Sequence, residues 1–169
     1  MMEKKIGVSI PVIQPRLRTT TLSRVLVCVD STHGREYAGR IYTAIYENPM
    51  RFQNWSQFCQ GMDRLFDGFR FPQVTHEYRS FRKGAGGEER MEDAMLKPRE
   101  ELTLPSEAGE AGTFIVHVQF RQNASWQGKI QWVEGKKTQS FRSTLELMKL
   151  MDEALHHEDD PPRATWDED

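Results

Sequence analysis

The sequence predicts an α+β protein of two duplicated units. Each unit is a three-stranded antiparallel sheet followed by one helix, and the two pack as a pseudo-two-fold body. Three observations lead there. Residues 25–30 form an apolar run rich in β-branched side chains, and residues 113–121 alternate apolar with polar, both patterns of strands. Apolar residues recur at helical spacing after Asn54 and again after Ser143. Residues 24–66, moved along by 89 positions, lie on residues 113–155 with no gap. Identical pairs are Val27 with Val116, Val29 with Val118, Gly39 with Gly128, Ile41 with Ile130, Phe52 with Phe141, Met62 with Met151 and Asp63 with Asp152. Two copies of so long a period point to a duplicated domain, since a solenoid needs at least about three units to bury a core.

The 169 residues suit one domain, or two small halves that share a core. A single unit of this size is small for independent stability, so the two must join, either edge to edge or helix to helix. Residues 1–21 read as a polar, flexible arm with a short alternation at Ile6, Val8 and Ile10 that Pro11 stops. The first unit occupies 22–82. Its strands are expected over 25–30, 37–46 and 50–52. Asn54 is the N-cap of its helix, with Gln57 three residues on. Phe58, Cys59, Met62, Leu65, Phe66 and Phe69 make the buried stripe, and Gly68 offers a stop. Residues 74–81 read as an added strand. Residues 83–112, bounded by glycine clusters and rich in charge, read as a disordered linker.

The second unit occupies 113–157. Phe114, Val116, Val118 and Phe120 are expected on one face of its first strand, with Ile115, His117, Gln119 and Arg121 on the other. Residues 122–125 form the hairpin turn, and further strands follow over 127–134 and up to Phe141. Ser143 and Glu146 form a capping box, followed by Leu147, Met148, Met151, Ala154 and Leu155 as the buried stripe. Residues 158–169 are an acidic, proline-containing tail.

The net charge of −2 gives no global attraction to nucleic acid or anionic membrane. No run of 18 apolar residues is present, and the N-terminal apolar stretch is broken by Ser9, Pro11, Gln14 and Pro15. The expectation is a cytoplasmic protein with no membrane association and no signal peptide. Two cysteines, Cys28 and Cys59, fall within predicted elements and suit a reducing compartment. The Asn54-Trp55-Ser56 and Asn123-Ala124-Ser125 tripeptides have no glycosylation meaning without secretion.

No phosphate loop, dinucleotide fingerprint, zinc-protease helix or paired CxxC is present, so no cofactor or metal is expected. His156 and His157 beside an acidic tail read as solvated rather than ligating. Cys28 and His117, equivalent under the 89-residue offset, are the one Cys/His pair that the proposed symmetry could bring together as nucleophile and base. Asp63 and Asp152 read as exposed helix residues or as paired binding carboxylates. The richer candidate is the sheet face opposite the helices. It carries Cys28, Asp30, Arg40, Tyr42 and Tyr46 from the first unit and His117, Gln119, Arg121, Lys129 and Gln131 from the second, with Tyr42 and Tyr46 as the expected stacking rings. Aromatic, amide and cationic groups on one face suit a ligand platform, with rings to stack and cations for phosphates. They also suit a plain solvated face of a sheet covered on its other side.

The stretches 26–31, 34–42 and 120–155, above all RQNASWQG and SFRSTLELMKLMD, resemble an uncharacterised family of small proteins from anaerobic Gram-positive bacteria. That resemblance implies a bacterial cytoplasmic protein and no activity. A three-stranded sheet, then a phenylalanine leading a helix, is similar to the AP2-like and integrase arm-binding DNA modules. It implies base and phosphate contacts from Arg121, Lys129, Gln131, Lys136 and Lys137, and from Arg35, Arg40 and Tyr42. The acidic balance departs from such modules. The leading expectation is a non-enzymatic binding or adaptor protein whose partner is another protein. The alternative is a nucleic-acid-binding regulator using the polar sheet faces.

Overall fold

The computed structural model of the protein describes residues 22–33, 36–74, 79–81 and 98–156. The expected arm over 1–21, half of the added strand over 74–81, the expected linker as far as 97, Arg35, His157 and the tail lie outside the described residues. Six strands and two helices follow in the order β1 (Arg24–Ser31), β2 (Ala38–Thr43), β3 (Met50–Phe52), α1 (Trp55–Phe69), β4 (Gly112–Phe120), β5 (Gln127–Trp132), β6 (Lys137–Phe141) and α2 (Thr144–Leu155). The strands form one antiparallel sheet in the order β3-β2-β1-β4-β5-β6. The two threefold ribbons therefore join edge to edge, through β1 and β4.

The register has a simple arithmetic. Val27 pairs with Ile41 and Gly39 with Phe52. At 89 residues on, Val116 pairs with Ile130 and Gly128 with Phe141. The ladder shifts between Val29 and Ser31, and again between Val118 and Phe120. At the centre, Leu26 faces Ile115, the two residues that the offset equates. Gly39 and Gly128 have a shared physical requirement. A Cβ there would lie 2.0 Å from the Cys28 carbonyl oxygen and 1.9 Å from that of His117, so neither place admits a side chain.

Both helices cover one face, here called the front. Val25, Val27, Val29, Phe114, Val116 and Val118 pack with Phe58, Met62, Leu147 and Met151 in a single core. Phe58 is its aromatic hub, stacked 4.7 Å from Trp55 and edge-on to Phe52 at 5.2 Å. Phe52 and Phe141 are both buried at their strand-to-helix corners, as their place in the pattern requires. Gly61, unfavourable in a helix interior by about 1 kcal/mol, lets α1 approach β3. A Cβ there would meet Met50 Sδ at 2.4 Å.

The helix starts follow the expected chemistry with one difference. Asn54 Oδ1 accepts from Gln57 N at 2.8 Å, and Ser143 Oγ accepts from Glu146 N at 3.1 Å. The return bonds go one residue further out, from Gln53 N to Gln57 Oε1 and from Arg142 N to Glu146 Oε2. Helix α1 also runs past Gly68. It closes at Arg70, whose φ of 54° is left-handed and whose N–H donates to Phe66 and Asp67 carbonyls.

Two departures matter more. The first concerns residues 98–111, expected within a disordered linker. They are ordered: Leu102 packs against the front core, and the chain from Leu104 onward lies on the back of the sheet, opposite the helices. Pro98 bridges Tyr46, Arg99 N donates to Ile45 O at 2.6 Å, and Ala111 N donates to Val29 O at 2.8 Å. Leu104 packs on Leu26, Cys28 and Tyr42. Composition signals entropy cost, but a few well-placed contacts to a preformed sheet offset it.

The second concerns Phe120 and Arg121. Each bulge adds one residue to β1 and β4, which reverses the alternation beyond it. Phe120, expected in the core, is exposed. Arg121, expected on the polar face, is buried on the front, and Val74 bridges to it in parallel.

Candidate functional site

The back face divides into two halves about the β1–β4 seam. In the first half the sequence-selected residues are engaged. Arg40 forms a two-pronged ion pair with Asp30, Nε to Oδ2 at 2.9 Å and Nη2 to Oδ1 at 3.0 Å. It also donates to the Ala108 carbonyl at 3.0 Å and to the Tyr42 hydroxyl at 2.7 Å, and its Nη1 lies 3.9 Å from Glu107. Tyr42 is buried beneath residues 104–111. Neither side chain is presented as the expected stacking and phosphate-binding pair, because the chain covers them itself.

This cover is held by charge. The hydrogen bond from Arg40 holds the Asp30 carboxyl below its ordinary value of 3.8, and Asp30 Oδ1 also accepts from the Glu110 amide at 3.3 Å. A depressed carboxyl contributes stability above its unfolded pKa and loses it as pH falls through the folded one. The difference in urea midpoint between the wild type and Asp30→Asn is therefore expected to be full at neutral pH. It should shrink as pH falls below about 3.8. A difference that stays constant into acid would mean the carboxylate charge does not hold the cover.

Among the described residues no segment covers the second half. The ladder sets Arg24, His117 and Lys129 in one transverse row, with Ser140 beyond. Neighbours in such a row are about 4.8 Å apart. Leu26, Ile115, Gln131 and Thr138 form the next row. Gln119 is half-buried at the bulge, Lys129 and Gln131 are exposed, and Phe120 is 56% exposed. Among the described residues none of Arg24, His117 and Lys129 has an ion-pair partner. Partial burial, then the charges of Arg24 and Lys129, lower the His117 pKa and favour its neutral ring. Of the seven residues selected from sequence, four (His117, Gln119, Lys129 and Gln131) remain together on this half. Arg24 and Phe120 complete it. Arg24 was not selected because it stands at the strand's first position, where only the cross-strand register shows which row it joins.

Arg121 belongs elsewhere. Its guanidinium donates to Pro72 O at 2.7 Å and to Asp67 Oδ1 at 2.8 Å, lies 3.5 Å from Asp63, and sits over the Phe66 ring at 5.6 Å. Lys137 pairs with Trp132 and so falls on the helix side by register. Lys136 sits in the preceding turn, with a φ of 52°.

Asp63 and Asp152 are neither free nor convergent on one site. Trp126 Nε1 donates to Asp63 at 3.0 Å, and the Tyr37 hydroxyl donates to Asp152. Each bond runs from one ribbon to the helix that follows the other. Burial pushes the Asp63 carboxyl up despite the bonds from Trp126 and Arg121. His156 is likewise engaged, 3.2 Å from Asp152 Oδ1 and beside the Tyr37 ring.

The Cys28 and His117 pair does not form. In the ladder Cys28 faces Thr113, and His117 faces Arg24. Four residues of strand separate the two positions, about 13 Å. Cys28 is fully buried, and burial pushes its thiol up to about 11. Cys59 is pushed up to about 12 by burial and by Asp63. Neither is a thiolate at neutral pH. Among the described residues no helix is long and apolar enough to cross a membrane. Comparison with known proteins returns no matching family model, no matching curated protein and no matching solved structure.

Proposed function

We propose that this chain is a non-enzymatic binding or adaptor protein whose partner is another protein, met on the open half of the back face. The observation that carries the reading is the contrast between the halves. The chain lays its own residues 104–111 over the first half, while His117, Gln119, Lys129 and Gln131 stay accessible on the second. A sheet face that accepts an extended polypeptide on one side is a natural receiver on the other. The outer edge of β6, which pairs with no other strand among the described residues and whose Lys137–Ser140 are exposed, adds backbone groups for strand addition beside it.

The same reading takes the chain as a duplication of a three-stranded sheet with a helix, folded about a pseudo-two-fold axis between Leu26 and Ile115. Support comes from the pairings that recur 89 residues apart, the matching bulges, the matching caps at Asn54 and Ser143, and the exchanged Trp126–Asp63 and Tyr37–Asp152 bonds. Duplication explains why the two halves have the same geometry, and divergence why only one is covered.

The row of Arg24, His117 and Lys129 also favours a second reading, contact with nucleic-acid phosphates, although both tyrosines expected to stack on bases are buried, Tyr42 on the back and Tyr46 in the front core against Phe69. The test is a pull-down from native lysate with tagged wild type and with Lys129→Glu, each with and without nuclease. The expected result is a defined partner protein that survives nuclease and is lost with Lys129→Glu. Nucleic acid in the wild-type eluate, with the proteins lost on digestion, would replace the protein reading with the second.

A further inference from the structure

We propose that the open half of the back face docks an extended acidic segment of the partner protein, one carrying an apolar residue and a carboxylate three positions apart. The proposal rests on the protein-binding reading above and names the chemistry of the ligand.

The chain's own covering segment sets the pattern. Residues 98–111 contain Glu100, Glu101, Glu107 and Glu110 against one cation, Arg99. Leu104 lies on Leu26, Cys28 and Tyr42, and Glu107, three residues on, points its carboxylate at Arg40. Leu26 and Arg40 stand on adjacent strands two residues apart, about 8 Å, within the roughly 10 Å that three residues of extended chain span. Under the 89-residue offset the counterpart of Leu26 is Ile115 and that of Arg40 is Lys129. Both occupy the corresponding positions in the ladder.

The open half differs in the direction that calls for outside carboxylates. Asp30, which neutralises Arg40, has Gln119 as its counterpart. Cys28 has His117, and Thr113 has Arg24. The covered half thus supplies its own counter-charge, and the open half presents the cations Arg24 and Lys129, with His117 between them, and no counter-charge among the described residues. Partly buried Ile115 and exposed Phe120 supply the apolar contact on either side of that row. An acidic segment with Leu or a similar side chain would place carboxylates along the cations and cover Ile115 and Phe120.

The test uses the full-length chain and a fluorescent synthetic peptide of the sequence PREELTLPSEAGEA, copied from residues 98–111. A second peptide carries Gln at each Glu. Lys129→Glu is compared with Lys149→Glu, an exposed position on α2 that changes net charge equally. The acidic peptide is expected to bind, and Lys129→Glu to weaken it by at least about fivefold, because an attraction becomes a repulsion. Lys149→Glu is expected to change it by less than about twofold, and the Gln peptide to bind as weakly as the Lys129→Glu pair. Absence of peptide binding would overturn the proposal, as would equal loss in the two variants or equal binding of the two peptides. A single-stranded oligonucleotide that binds through Lys129 when the peptide does not would also overturn it. Captured proteins insensitive to Lys129→Glu would overturn this site while leaving a protein partner in place.

Discussion

Phe141→Ala and Phe52→Ala are each expected to cost about 3–5 kcal/mol in urea unfolding. Both rings are buried where the last strand of a ribbon turns into its helix. Phe141 pairs with Gly128 in the ladder and Phe52 with Gly39, so each ring occupies space beside a position that cannot carry a side chain. No neighbouring Cβ is there to close the cavity. Phe52 also loses its edge-on contact with Phe58. With total stabilities of about 5–15 kcal/mol typical, either alanine variant will sit near the unfolding threshold. Phe→Leu at each position keeps most of the volume and is expected to be markedly milder. Two similar losses would support equivalence of the corners. A cost near zero at either would mean that corner is not packed as described.

Arg121→Ala is expected to cost about 2–3 kcal/mol of stability while leaving peptide binding to the back face unchanged. The guanidinium is 2% exposed and satisfies the Pro72 carbonyl, Asp67 and Asp63. Removing one partner of a buried pair typically costs about 3–5 kcal/mol. The lower figure applies here because the Asp67 side chain is 55% exposed and water can replace the lost bond. A ligand-binding surface arginine would behave in the opposite way, changing stability by less than about 0.5 kcal/mol and weakening the ligand. Urea unfolding and peptide titration on the same variant separate these roles.

Much of the local structure was legible because it depends on near neighbours. The strand periods, the caps at Asn54 and Ser143, the burial of Phe52 and Phe141, the apolar stripe of α1 and, in α2, Leu147 and Met151 each follow from a few adjacent residues, whereas Leu150 rather than the expected Met148 packs against the core. Of the candidate site, Lys129 and Gln131 were readable in the same way, since no later element among the described residues covers them. Arg121 was not. An extra residue in a strand leaves no mark on a short sequence pattern, yet it reverses every side chain beyond it. Arg40 and Tyr42 carry the composition of a ligand surface and are occupied by a segment beginning more than fifty residues later.

By itself the sequence determined an α+β protein with two similar strand-and-helix patterns, because periodicity, capping and turn chemistry are local and act within a few residues. The tertiary structure decided that the two ribbons share one sheet through β1 and β4, that residues 104–111 cover one half of its back, and that Arg121 turns inward. Those outcomes depend on strand register and on contacts between distant residues. Their energies arise only once the sheet is assembled, so no short stretch of the chain contains them.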